Sequence, residues 1–219
     1  NPEITLHHVL DGKANIKEAI YETGYGFDII PGSHIYERID PYLLGNKLKE
    51  IKHKYDIIII DSSPNLNEEI LSAMMASDEL LVMTTPDYVT LATTLNAVKL
   101  AKVRKTPIIG LVLNKVYGKD FELTLDDIEK AAGVNVLAVL PQEVKVLEAL
   151  SKSMPSTLHK NSAAGLELKK LAGSLVGEHY TEGKLKTFFN KLSTFGKVSK
   201  QEVNRVLFAE ERKTSNLYR

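Results

Sequence analysis

Cysteine is missing from all 219 residues, and so is tryptophan. Without cysteine there is no disulfide framework and no thiolate metal site, which fits a reducing compartment. No apolar run approaches the roughly 20 residues that span a bilayer, and the first residues show no signal-peptide pattern. The expected location is the cytoplasm, with peripheral membrane contact left open by the tail described below. Net charge is absent too, 28 Lys and Arg against 28 Asp and Glu. That zero joins two unequal parts. Residues 181–219 carry nine basic and four acidic side chains, a net of +5 that offsets −5 in the rest. A mildly acidic body with a basic end points to two jobs. The expected division is a domain over 1–180 and a basic helical tail over 181–219.

What is present is a repeated alternation. "FDIIPG" (Phe27–Gly32), "YDIIII" (Tyr55–Ile60), "ELLVMT" (Glu79–Thr84), "PIIGLVLN" (Pro107–Asn114) and "VNVLAVLP" (Val134–Pro141) read as strands. They are nearly continuous apolar runs, as expected of strands covered on both faces. Helical patterns fall between and after them, at Pro41–Lys54, Asn67–Ala76, Tyr88–Arg104, Leu123–Ala132, Glu143–Ser153 and Leu166–Val176. Connections of that length imply right-handed crossovers and a mostly parallel sheet. The expected class is three-layer α/β.

In such a sheet, ligands sit beyond the C-terminal ends of the strands. Four strands end in polar or proline-containing loops: Asp61–Asn65, "TPD" (Thr85–Asp87), "NK" (Asn114, Lys115) and "PQE" (Pro141–Glu143). Asp61 closes a run of four isoleucines. A carboxylate there is acceptor-only and partly desolvated, suited to a cation or to strong donors. Mg²⁺ beside a nucleotide phosphate is one use of it. A structural cap or a lysine partner is the other.

The motifs carry a resemblance. "IIIID" (Ile57–Asp61), continued directly by "SSPNLNEEILSAMMASDELLVMTTPD" (Ser62–Asp87), resembles the Walker B and switch II region of the MinD/ParA family of deviant Walker A P-loop ATPases. "TLHHVLDGKANIKEAIY" (Thr5–Tyr21) resembles the segment after the second strand in its archaeal MinD members. "GLVLNKV" (Gly110–Val116) and "AVLPQEVKVLEALSKSMPS" (Ala138–Ser156) resemble the adenine-side strand and loop. The resemblance spans about residues 3–177. It implies a P-loop NTPase fold of the SIMIBI type, ATP and Mg²⁺ as ligands, and an ATP-dependent homodimer. Asp61 would hold the Mg²⁺ shell through water and be the residue on which hydrolysis depends. Ser62, Ser63 and Pro64, within Ser62–Leu66, would form the loop that senses the γ-phosphate. Asn114 would read adenine, and Pro141, Gln142 and Glu143 would flank the base or the partner subunit. Gln142 stands where the family usually has Glu.

One family element is not in the sequence. No G-x-x-x-x-G-K-[ST] occurs, and "TGYGF" and "PGSH" have neither its lysine nor its spacing. That loop cradles phosphates with backbone N–H groups and a helix N-terminus. Aligned on the family, Asn1 falls just after the second strand. The expectation is a chain cut from a longer ATPase, inactive alone. The alternative is a non-catalytic pseudo-ATPase, a regulatory or scaffold module that keeps the dimer surface. A dinucleotide oxidoreductase would need G-x-G-x-x-G after a strand, which is also missing. Six scattered histidines make no metal site.

In the tail, Leu185, Phe188, Phe189, Leu192 and Phe195 share one helical side, with Lys184 and Lys191 flanking it. Such a helix suits an anionic membrane surface or a protein partner, or packs on the body; nucleic acid is not the expected partner. MinD proteins use a comparable terminal helix on membranes. Here "SKQE" (Ser199–Glu202), a capping box, leads on into a second helix with Val203, Val206, Leu207 and Phe208.

Overall fold

The computed structural model describes residues 2–33, 40, 42–62, 68–180 and 199–216. The chain divides into two compact units, Asn1–Leu80 with Leu100–Pro107, and Leu81–Lys99 with Ile108–Arg219.

The first unit opens with helix α1 (Leu6–Leu10) and a 3₁₀ turn at Ile16–Ala19. Val9, Ile16, Ala19 and Ile51 form its core, with Ile4, Leu48 and Tyr55 packed against them. His8 Nδ1 accepts the Thr5 N–H at 3.0 Å and His7 Nδ1 accepts that of Ser33 at 3.0 Å. Both imidazoles are therefore used as backbone acceptors. Strands β1 (Tyr21–Glu22) and β2 (Asp28–Ile29) pair antiparallel. The expected strand Phe27–Gly32 thus shrinks to two residues of a hairpin, because the Thr23–Gly26 turn returns the chain onto Tyr21 and Glu22. Helices α2 (Leu43–Lys49) and α3 (Glu68–Ala76) follow.

A second expectation fails in this unit. Tyr55–Ile60 joins no β-ladder among the described residues. Ile57 is 56 % exposed and Ile59 is 85 % exposed. An apolar run becomes a buried strand only where neighbours supply ladder bonds and cover.

The second unit holds the sheet. Strands β3 (Leu80–Thr84, its first residue counted with the first unit), β4 (Ile108–Val116) and β5 (Val136–Pro141) lie in the order β3–β4–β5 and are parallel. Helix α4 (Tyr88–Arg104) joins β3 to β4, and α5 (Leu125–Ala132) joins β4 to β5. Alternation along β4 feeds two cores. Leu111 and Leu113 pack with Leu91, Ile128, Ala132 and Val136. Val112 turns the other way, with Leu137, Leu140, Ala164 and Leu171. Gly110 permits the close approach of β5, since a Cβ there would stand 2.4 Å from Leu137 Cδ1. Helices α6 (Val144–Ser151), α7 (Ala163–Leu175) and α8 (Lys200–Asn216) complete the unit. Side-chain caps mark the helix starts: Thr124 accepts the Asp127 N–H at 3.2 Å and Ser162 accepts the Gly165 N–H at 2.9 Å. Gly133 ends α5 in the left-handed region at φ 63°.

Candidate functional site

Parallel order brings the C-terminal tips of β3, β4 and β5 to one edge of the second unit. Backbone bonds tie the loops there. The Leu123 N–H donates to the Pro86 carbonyl at 2.9 Å, and the Gln142 N–H to the Val116 carbonyl at 2.9 Å. Val116 and Pro141 are register partners. Asn114 and the Pro141–Gln142–Glu143 loop therefore stand on neighbouring strand tips.

Asn114 is half-buried, and its Oδ1 accepts the Lys115 N–H at 2.9 Å. Its amide group keeps donors for a ligand, and the oxygen keeps a second lone pair. Lys115 has φ 56°, at the register irregularity between Leu113 and Val116 in the β4–β5 ladder. Pro141 is half-buried and Gln142 is exposed.

Glu143 has another engagement. Its carboxylate accepts the Ser162 hydroxyl, the Ala164 N–H at 2.9 Å and the Ala163 N–H at 3.2 Å. These are the start of α7, where the unpaired N–H groups and helix dipole favour an anion. Burial works to raise the Glu143 pKa, but these bonds prevail and hold it below the ordinary carboxylate value. Glu143 thus anchors the loop that presents Pro141 and Gln142.

Two further carboxylates organise the edge, and sequence reasoning assigned neither a role. Asp87 accepts the Thr85 hydroxyl and the Thr90 N–H at 2.9 Å, capping α4. The Thr85 hydrogen bond, with the Thr90 N–H, keeps its pKa low. An acid directly before a helical run is the signal that would have found it. Glu122 accepts the Tyr117 N–H at 2.8 Å and the Lys119 N–H at 3.0 Å. Burial raises its pKa, and these N–H groups outweigh the effect. The loop so held presents Tyr117 and Phe121, with ring centroids 6.4 Å apart.

Asp61 and Ser62 belong to the first unit and are exposed. The expected desolvation of Asp61 is not found, since the isoleucines before it are themselves in solvent. Its carboxylate is open to a hydrated cation. Ser63 and Pro64 lie outside the described residues, as do Lys184, Leu185, Phe188, Phe189, Lys191, Leu192 and Phe195. The donor chemistry present fits a purine edge at Asn114 and the water shell of a divalent ion at Asp61. Among the described residues it does not supply a phosphate cradle.

A family model described as an AAA domain matches residues 1–109. An uncharacterised ATP-binding protein of Methanocaldococcus jannaschii is 33 % identical over 187 residues, which is 84 % of this chain and 70 % of that protein. The septum site-determining protein MinD of Pyrococcus horikoshii, solved with Mg-ADP, is 30 % identical with a TM-score of 0.73. The match covers 79 % of this chain and 73 % of that one. The chain belongs to the MinD/ParA family of P-loop ATPases. The cell division ATPase MinD of Pyrococcus furiosus is similar again, at 31 % identity and a TM-score of 0.70, over 76 % of this chain and 73 % of that one. The P-loop NTPase α/β fold read from the sequence follows from these relatives. Among the described residues, no helix is long and apolar enough to cross a membrane.

Proposed function

We propose that this chain is the base-reading and metal-facing part of a MinD/ParA-type ATP switch, one that places other components in the cell through dimerisation. Asn114 binds the adenine edge, with Pro141 and Gln142 beside the base. Asp61 holds the water shell of Mg²⁺, and Ser62, Ser63 and Pro64 belong to the loop that responds to the γ-phosphate. Glu143 acts indirectly, by fixing the β5 loop to α7. ATP·Mg²⁺, when bound, supplies the anhydride bond whose hydrolysis resets the switch. The Mg-ADP held by the Pyrococcus horikoshii relative supports these ligands.

The observation that carries the reading is the pairing of the β4 and β5 tips, which stands Asn114 beside the Pro141–Gln142 loop at the C-terminal edge of a parallel sheet. A second reading, a pseudo-ATPase scaffold with the same dimer surface, draws on the lack of G-x-x-x-x-G-K-[ST] in these 219 residues.

Calorimetry with ATP·Mg²⁺ separates the two, run on this chain and on the full open reading frame that encodes it. Binding by the longer protein alone, weakened by Asp61→Ala, supports the switch. No binding by either leaves the scaffold.

A further inference from the structure

Tyr117 and Phe121 are 61 % and 77 % exposed, on the loop that leaves β4 just after Asn114. Neither ring serves a core, yet their loop is firmly fastened. Glu122 accepts the Tyr117 and Lys119 N–H groups, and its own N–H donates to the Lys119 carbonyl at 3.0 Å. Leu123 is tied to Pro86. A turn bonded in this way holds its aromatic side chains in place before a ligand arrives, so little freedom is lost on binding.

The register of β4 shows which ring stands with Asn114. Leu113 pairs with Val139 and Val116 with Pro141, three steps along β4 against two along β5. One residue is inserted there, and Lys115 at φ 56° marks the bulge. The packing agrees. Leu113 and Val116, three positions apart, both lie against the cluster of Leu91 and Ile128. Val112 and Leu140 belong to the opposite cluster. By alternation position 114 shares the side of Val112, and position 117 returns to that side after the bulge. Gln142, whose N–H is bonded to the Val116 carbonyl, is level with position 117 on the neighbouring tip. Positions 114, 117 and 142 thus fall on one face of the sheet's C-terminal edge.

The chemistry there is flat rings beside an amide. Tyr117 and Phe121, 6.4 Å apart at 52°, are tilted rather than stacked on each other, and their exposure leaves ring surface open to a third ring. Two rings bury about 150–250 Å² each, well below the ~800 Å² that each partner gives to a stable protein interface. A planar heterocycle with a hydrogen-bonding edge is the ligand that uses both features.

We propose that Tyr117 stacks on the base whose edge Asn114 reads, so that the ring supplies affinity and the amide supplies selectivity. Phe121 supports the Tyr117 ring from the side. This assignment rests on the purine reading of Asn114 and adds a second residue to it. Stacking is blind to the edge of a base, because every base has a π-face. An amide is not blind. Its oxygen accepts from the amino group of adenine, where hypoxanthine has a carbonyl instead.

The two roles separate in a titration of the 219-residue chain with adenosine and with inosine, nucleosides that need no phosphate cradle. The chain has no tryptophan, so Tyr117→Trp places a single reporter on the loop. Saturable quenching of its emission by adenosine is expected, with a Kd on the order of 1 mM. Proton shifts of the nucleosides give the same constant for the other variants. Tyr117→Ala should weaken both nucleosides about tenfold and leave their ratio unchanged, while Tyr117→Phe should stay within about twofold of the parent. Asn114→Ala should instead bring adenosine and inosine to equal affinity. The thermal midpoint of the Tyr117 variants should not move, since the ring is in solvent. Full adenosine affinity in Tyr117→Ala overturns the stack and leaves the Asn114 reading standing. An unchanged preference for adenosine in Asn114→Ala overturns that reading, and with it the division of roles. Absence of adenosine binding by the chain overturns both.

Discussion

Two aliphatic runs of similar composition meet opposite fates. Leu111, Val112 and Leu113 on β4 are 0–3 % exposed, whereas Ile57, Ile58 and Ile59 are 37–85 % exposed. Side-chain hydrophobicity is no lower in the isoleucines. What differs is company. β4 has a ladder partner on each side and a core on each face. The isoleucine run has no ladder among the described residues. Burial is conferred by neighbours, and each run is worth what those neighbours make of it.

Substitutions break this comparison in order of size. Leu111→Ala should cost the chain about 4 kcal/mol, while Ile59→Ala should stay within about 0.5 kcal/mol. Urea unfolding of the two variants checks the pair, and equal losses would mean the isoleucines are covered in solution. Arg205→Ala comes next, at about 3 kcal/mol, since it strands Glu167 and the Leu137 carbonyl; Arg205→Met should recover part of the loss. Gly110→Ala should cost about 1–2 kcal/mol by pressing on Leu137. Combined with Leu137→Ala it should cost less than the sum, a non-additivity read from the same unfolding curves.

Acid gives a smaller effect. Asp87, Glu122 and Glu143 are all held below the ordinary carboxylate pKa. Each adds stability that is present above the unfolded-state pKa and is lost as pH falls through the lower folded-state one. The urea midpoint should therefore drop on acidification below about pH 4, and Glu143→Gln should flatten that drop. The smallest change expected is Lys115→Gly. Relieving φ 56° there should stabilise by under about 1 kcal/mol, visible as a slight rise in the thermal midpoint.

The same contrast explains what was legible beforehand. Helix α4 runs over Tyr88–Arg104, the limits that periodicity suggests. The β4 and β5 tips, with Asn114 beside Pro141 and Gln142, follow from parallel order alone. Periodicity reports which residues are apolar; it does not report which neighbour is at hand, so Tyr55–Ile60 reads as a buried strand. Nor does it show bonds between distant residues. Glu143 reads as a base-flanking acid because its partners, Ser162 to Ala164, lie about twenty positions away. Arg205 reads as one more surface cation for the same reason, since Leu137 and Glu167 are far off in sequence.

The bonds from α8 to the start of β5 have a bearing on aggregation. An intruding strand needs free backbone acceptors, and Asn204 and Arg205 already occupy the carbonyls of Val136 and Leu137. Among the described residues, the isoleucine run has no such guard. If this chain forms fibrils, their first cross-β contacts should grow from Ile57–Ile60, and a single lysine in that run should delay them more than any change in β5.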